Sequence, residues 1–129
     1  MVQTQLPGAA RVARLLRPAA ERAGAWVSSE AAVRVAPGDV RAPAIVVATG
    51  EPPLDGVVDG VPLLIVELRR DHVGAWVGVP GAVVWGLGGD GVVTLRGGRV
   101  RAVGRDALLT VPGAPWLAVP ATALLAAGA

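Results

Sequence analysis

The stretch VPLLIVELRRDH, residues 61–72, decides how the chain is read. Its apolar residues run without a break into Glu67, and Arg69, Arg70, Asp71 and His72 follow at once. A run this apolar suits a central strand covered on both faces. A carboxylate at the end of such a strand needs a physical reason. Side chains two apart on a strand face the same way. Leu63, Ile65, Glu67 and Arg69 therefore share one face, and Leu64, Val66, Leu68 and Arg70 the other. Two readings follow. Glu67 and Arg69 form an ion pair at a sheet edge, an interaction usually worth little at a surface, or they are a carboxylate ligand beside a phosphate-binding cation. Spacing alone favours the first.

Working outward, residues 8–24 read as a helix, because Val12, Leu15, Leu16, Ala19 and Ala23 recur at helical spacing. Arg11, Arg14, Arg17, Glu21 and Arg22 fall mostly off that stripe, and the face reads as a solvated outer one in preference to a phosphate contact. Pro18 is expected to kink or restart the helix. Residues 25–35 and 42–50 read as strands, with the turn APGD after the first. Residues 51–60 read as a Pro/Gly/Asp loop, and 61–68 as the third strand. Between Asp71 and Pro80 there is room for a short helix or turn. AVVWGL is the next strand, and GVVTL and RVRAV form a hairpin about a glycine turn. An extended stretch and a small C-terminal helix, ATALLAAGA, complete the chain. The class is α/β or α+β, one mixed sheet with helix cover, and 129 residues fit one domain, 1–129.

Composition removes several function classes. There is no cysteine, which excludes disulfides, thiolate nucleophiles and cysteine-ligated metals. All twelve basic residues are arginine, so no lysine chemistry exists. A net charge of +2 is too small to argue by itself for nucleic acid. The opening MVQTQLPGAARVARLL lacks the apolar core of a signal peptide, and the longest uncharged run, Val73–Gly89, is broken by glycines and Pro80. The expectation is a cytoplasmic protein with no membrane span.

GLGGDG, residues 86–91, matches a dinucleotide fingerprint in spelling, but hairpin sequence follows where that fingerprint needs a helix. It reads as a flexible turn. His72, the single histidine, has no nucleophile-elbow sequence to serve and reads as a partly exposed loop residue. Its nearness to Asp71 leaves metal ligation open. Trp26, Trp76, Trp85 and Trp116 are the whole aromatic content, so core packing is their first role. Trp76 lies in a segment expected to border the Glu67 site.

The order of these motifs resembles the small bacterial Uma-type restriction endonuclease family, a branch of the PD-(D/E)XK nuclease superfamily. RAPAIVVATG sits where that family has a strand opening with Pro-Asp, and PLLIVELRRD where it has the strand ending in its glutamate. VGVPGAVVW, VVTLRGGRVRAV and DALLTVPGAPWLAVPATALL resemble the segments that follow, so the likeness runs along nearly the whole chain. The resemblance implies a restriction-endonuclease-like core, metal-dependent phosphodiester hydrolysis, Mg²⁺ as cofactor and DNA as partner, with a homodimer as a further expectation. In that layout an Asp at a strand start and a Glu at its neighbour's end share the metal, which activates the attacking water. Carried onto this chain, the catalytic positions are Glu67 and Arg69, and the metal positions Glu67 and Asp71. The departures matter. Ala44 follows Pro43 where the Asp belongs, and Arg69 stands in the lysine position, though a guanidinium stays protonated and is no substitute base. The expectation is therefore a nuclease-like domain with impaired or lost cleavage. The alternative is a non-catalytic nucleic-acid-binding or protein-interaction module that keeps the fold.

Overall fold

The computed structural model describes residues 7–89 and 91–129. Residues 1–6 of the opening segment and Asp90 of GLGGDG lie outside them. Helix α1, Gly8–Arg22, leads into strands β1, Ala25–Ser28; β2, Ala32–Ala36; β3, Asp39–Arg41; β4, Ile45–Thr49; β5, Val57–Asp59; and β6, Leu64–Glu67. A 3-10 segment, Arg70–Trp76, connects to β7, Val84–Gly88; β8, Gly91–Arg96; β9, Arg99–Val103; β10, Leu108–Val111; β11, Ala114–Pro120; and helix α2, Ala121–Gly128. Six strands form one mixed sheet in the order β1-β4-β6-β7-β8-β9. All its neighbours are antiparallel except β6 and β7, which run parallel.

Alternation along the strands gives this sheet two covered faces. Ile45, Val47, Leu64, Val66, Trp85 and Val92 pack with α1, α2 and the β10–β11 hairpin. Val46, Ala48, Ile65, Val84 and Leu95 point the other way, against Ala31 and Val33 and against Val73 and Trp76 of the 3-10 segment. The strand β6 is buried at every position. Its unbroken apolar run thus has the two-faced burial that such a run implies. The class is α+β with one large mixed sheet, as the sequence indicated.

Several local expectations need correction. Residues 25–35 form two strands, because the chain bends at Ser28, whose hydroxyl accepts the Glu30 N–H at 3.0 Å. Such side-chain turns offer the backbone an exit from a strand. The second piece, β2, joins a separate sheet of order β3-β2-β5. The loop 51–60 is not wholly irregular, since Val57–Asp59 pairs parallel with β2. Helix α1 continues through Pro18 as one element, with Val12, Ala13, Leu16 and Ala20 buried on the sheet. Tertiary packing on both sides of the proline outweighs the one backbone hydrogen bond it removes. Leu15, placed on the apolar stripe by spacing, is 38% exposed. Arg11 is not merely solvated: its Nε donates to the Ala127 carbonyl at 2.8 Å and caps the end of α2. The hairpin β8–β9 closes on Gly97 and Gly98, both with positive φ, the geometry a two-residue turn of type I′ requires. Among the described residues, no helix is long and apolar enough to cross a membrane.

Candidate functional site

Glu67 ends β6 beside the start of β4. The register pairs Ile45 with Val66, which brings Ala44 against Glu67. The Ala44 backbone N–H donates to Glu67 Oε1 at 3.2 Å. The methyl of Ala44 packs against the helix-side cluster, so the position shows its amide, not its side chain, to the carboxylate. The second oxygen, Oε2, accepts the indole Nε1–H of Trp76 at 2.8 Å. Glu67 is 7% exposed and Trp76 2%. A buried carboxylate is tolerable only when its oxygens are hydrogen-bonded, and each of these has a donor.

Trp76 is held from its other side by β3. The Arg41 guanidinium carbon lies 5.4 Å from the ring centroid, a cation–π distance. Arg41 also donates to the Ala75 carbonyl and makes a two-pronged pair with Asp39, Nε to Oδ1 and Nη2 to Oδ2, both at 3.1 Å. Hydrogen bonding to Arg41 holds the Asp39 carboxyl below its ordinary value, and the same contact raises the guanidinium. Folding lowers the Asp39 pKa, so the pair supports the fold above the ordinary aspartate range. That support fades as pH falls through the lowered value. The site is thus a chain of contacts, Asp39 to Arg41 to Trp76 to Glu67 to the Ala44 amide.

Arg69 and Asp71 make no hydrogen bond to Glu67 and pair with each other. The ladder stops at Glu67, and Arg69, still extended, caps the 3-10 segment and turns its guanidinium to Asp71. Arg69 donates from Nε and Nη2 to the two oxygens of Asp71, at 3.2 and 3.1 Å. Both side chains are about two-thirds exposed, at 68% and 64%. They line a shallow cleft of about 360 Å³ at the ends of β6 and β7, together with Arg70, Leu68 and Gly88, and Glu67 is not in its lining. His72 is exposed on the same 3-10 segment.

The residues present do not suit Mg²⁺. That ion demands near-octahedral oxygen ligands, whereas Glu67 faces two N–H groups and Asp71 is engaged by Arg69. Among the described residues, no three His, Cys, Asp or Glu side chains stand close enough to hold a metal.

The glycines of GLGGDG have a packing role. Gly86 and Gly88 lie within β7, not in a turn. A Cβ on Gly86 would overlap Val73 Cγ2 and stand 3.4 Å from Arg70 Cα; at Gly88 it would meet the flexible Arg70 side chain at 2.6 Å. Glycine inside a strand often marks such an approach, and here it lets the 3-10 segment that carries Trp76 lie on the sheet. Gly86→Ala is expected to destabilise by about 1–3 kcal/mol through overpacking, and Gly88→Ala by less, since Arg70 can swing aside. Urea unfolding of the two variants checks that order. Trp76 borders Glu67, in line with the expectation for its segment, but nothing in the sequence points to the Nε1–H bond or to Arg41 over the ring.

The fold is thus a mixed sheet with a buried glutamate at the end of a central strand and two helices on one face. The chain is similar in structure to a protein from Anabaena variabilis described as "a putative nuclease belonging to DUF820", with TM-score 0.64 and 15% identity over 99% of this chain and 87% of that one. At that identity the likeness shows the shared fold. No family model and no curated protein matches the chain.

Proposed function

We propose that this chain is a degenerate member of the Uma-type branch of the PD-(D/E)XK nucleases, in which metal-dependent phosphodiester cleavage is lost and a nucleic-acid-binding module remains. One observation carries the reading: both oxygens of Glu67 accept hydrogen bonds inside the protein, from the Ala44 amide and from Trp76. Hydrolysis in this class needs a metal to polarise the phosphoryl oxygen and lower the pKa of the attacking water. Here the second carboxylate is replaced by Ala44, no lysine exists, and Arg69 is committed to Asp71. Glu67 thus serves the fold. It accepts the buried Trp76 N–H, which would otherwise lack a partner, and the half-buried Ala44 amide. The likeness in fold to the Anabaena variabilis protein described as "a putative nuclease" supports this ancestry.

Incubation of supercoiled plasmid with Mg²⁺ and with Mn²⁺ tests this. The expected result is no nicking, either by the native chain or by Ala44→Asp combined with Arg69→Lys. The side chain at position 44 points to the helix-side cluster, and position 69 lies out on the surface. Metal-dependent nicking by the native chain that disappears in Glu67→Gln would overturn the proposed loss of cleavage, whereas nicking gained only by the double variant would favour the decayed-nuclease ancestry.

A further inference from the structure

At the β8–β9 end of the large sheet, the face shared with α1 and α2 carries a concentration of arginine. Val92 belongs to the helix-side cluster, so Thr94 and Arg96, two and four residues on, share its face. The register sets Arg99 opposite Arg96, Arg101 opposite Thr94 and Val103 opposite Val92. Arg96, Arg99 and Arg101 therefore stand together, and all three are exposed. With Trp85, Thr94 and Thr110 they line a groove of about 630 Å³ between the hairpin and β10.

Directly opposed residues place their Cβ atoms about 5 Å apart, and like charges in that position destabilise a sheet. Arg101 follows Arg99 at about 7 Å along the strand. Among the described residues, none of the three has a carboxylate partner, and no Asp or Glu lines the groove. Three other arginines have carboxylate partners, Arg34 with Asp59, Arg41 with Asp39 and Arg69 with Asp71, and others without one, such as Arg14 and Arg22 on α1, do not line this groove. What sets the hairpin apart is that three guanidinium groups are gathered in one groove.

We propose that this groove binds the phosphate backbone of a nucleic-acid strand, on the face of the sheet opposite Glu67. Guanidinium forks match phosphate oxygens in two-pronged fashion. A row of cations along one hairpin suits a row of phosphates better than a single small anion. Contacts of this kind position a strand and carry no base readout, so binding is insensitive to sequence. The choice of a polymer rests on the nucleic-acid-binding reading above; the location rests on the arginines alone.

The test uses the whole chain and a short fluorescently labelled DNA, single-stranded and duplex, across a salt series. Arg99→Ala combined with Arg101→Ala is compared with Arg14→Ala combined with Arg22→Ala, which removes equal charge from the exposed side of α1. The groove pair is expected to weaken binding about tenfold or more and to lower the salt slope by roughly 0.7–0.9 per arginine removed. The α1 pair is expected to change little, and inorganic phosphate to compete poorly. Thermal unfolding of the groove variant is expected at or above that of the native chain, because repulsion is relieved. Equal losses in both variants would overturn the groove while leaving nucleic-acid binding in place. Arginine-dependent stabilisation by inorganic phosphate with no DNA binding would overturn the polymer. No binding of either ligand would overturn this site and the nucleic-acid-binding reading together.

Discussion

Trp76→Ala is expected to destabilise the domain by about 3–5 kcal/mol, the usual range for deleting a buried large aromatic side chain. That is a large share of the roughly 5–15 kcal/mol by which domains are stable. The substitution removes packing against Val73 and the sheet and leaves Glu67 Oε2 without its donor. Trp76→Phe separates the two effects. It keeps a ring and deletes the N–H, so its cost is expected near the 1–3 kcal/mol of a buried group left unsatisfied. Urea unfolding of both variants, followed by circular dichroism, reads the difference directly. Equal and small losses would mean that the hydrogen bond to Glu67 does not support the fold.

The sequence made the frame legible because β6 says the same thing at every level. Its run LIVE is apolar at three consecutive positions, ends on a charge and is buried on both faces, and the antiparallel neighbour is the strand that starts beside Ala44. The β8–β9 hairpin was equally plain, since two glycines in a row between β-branched segments specify one turn. What failed was local. Ser28 breaks a strand with a single side-chain hydrogen bond, and Val57–Asp59 becomes a strand only because β2 lies beside it. Neither event has a periodicity to betray it. In the site, alternation placed Arg69 beside Glu67 on the assumption that β6 continues; it ends at Glu67, and Arg69 turns to Asp71. The donors to Glu67 come from nine and twenty-three positions away. One is a backbone amide and the other an indole that composition had assigned to the core. Trp76 does both jobs.

Glu67→Ala is expected to have the second large effect, and to have it without any metal. Two donors, the Ala44 amide and Trp76 Nε1–H, lose their acceptor, each at about 1–3 kcal/mol where water does not replace it. Glu67→Gln is expected to cost less than Glu67→Ala. Its carbonyl oxygen still accepts one of the two N–H groups, and its own NH₂ faces the other as a mismatched donor. A catalytic carboxylate would behave differently. Its removal from a metal site commonly relieves charge repulsion in the metal-free protein, and stability then depends on the ion through binding linkage.

The most direct test of Glu67 as a structural acceptor is therefore the difference in unfolding free energy between the native chain and Glu67→Ala, measured once in chelator and once in millimolar Mn²⁺. The result expected is a gap of several kcal/mol that is the same in both solutions. A gap that is absent in chelator and opens only when Mn²⁺ is added would contradict the account, because Glu67 would then be holding a metal ion and not the fold.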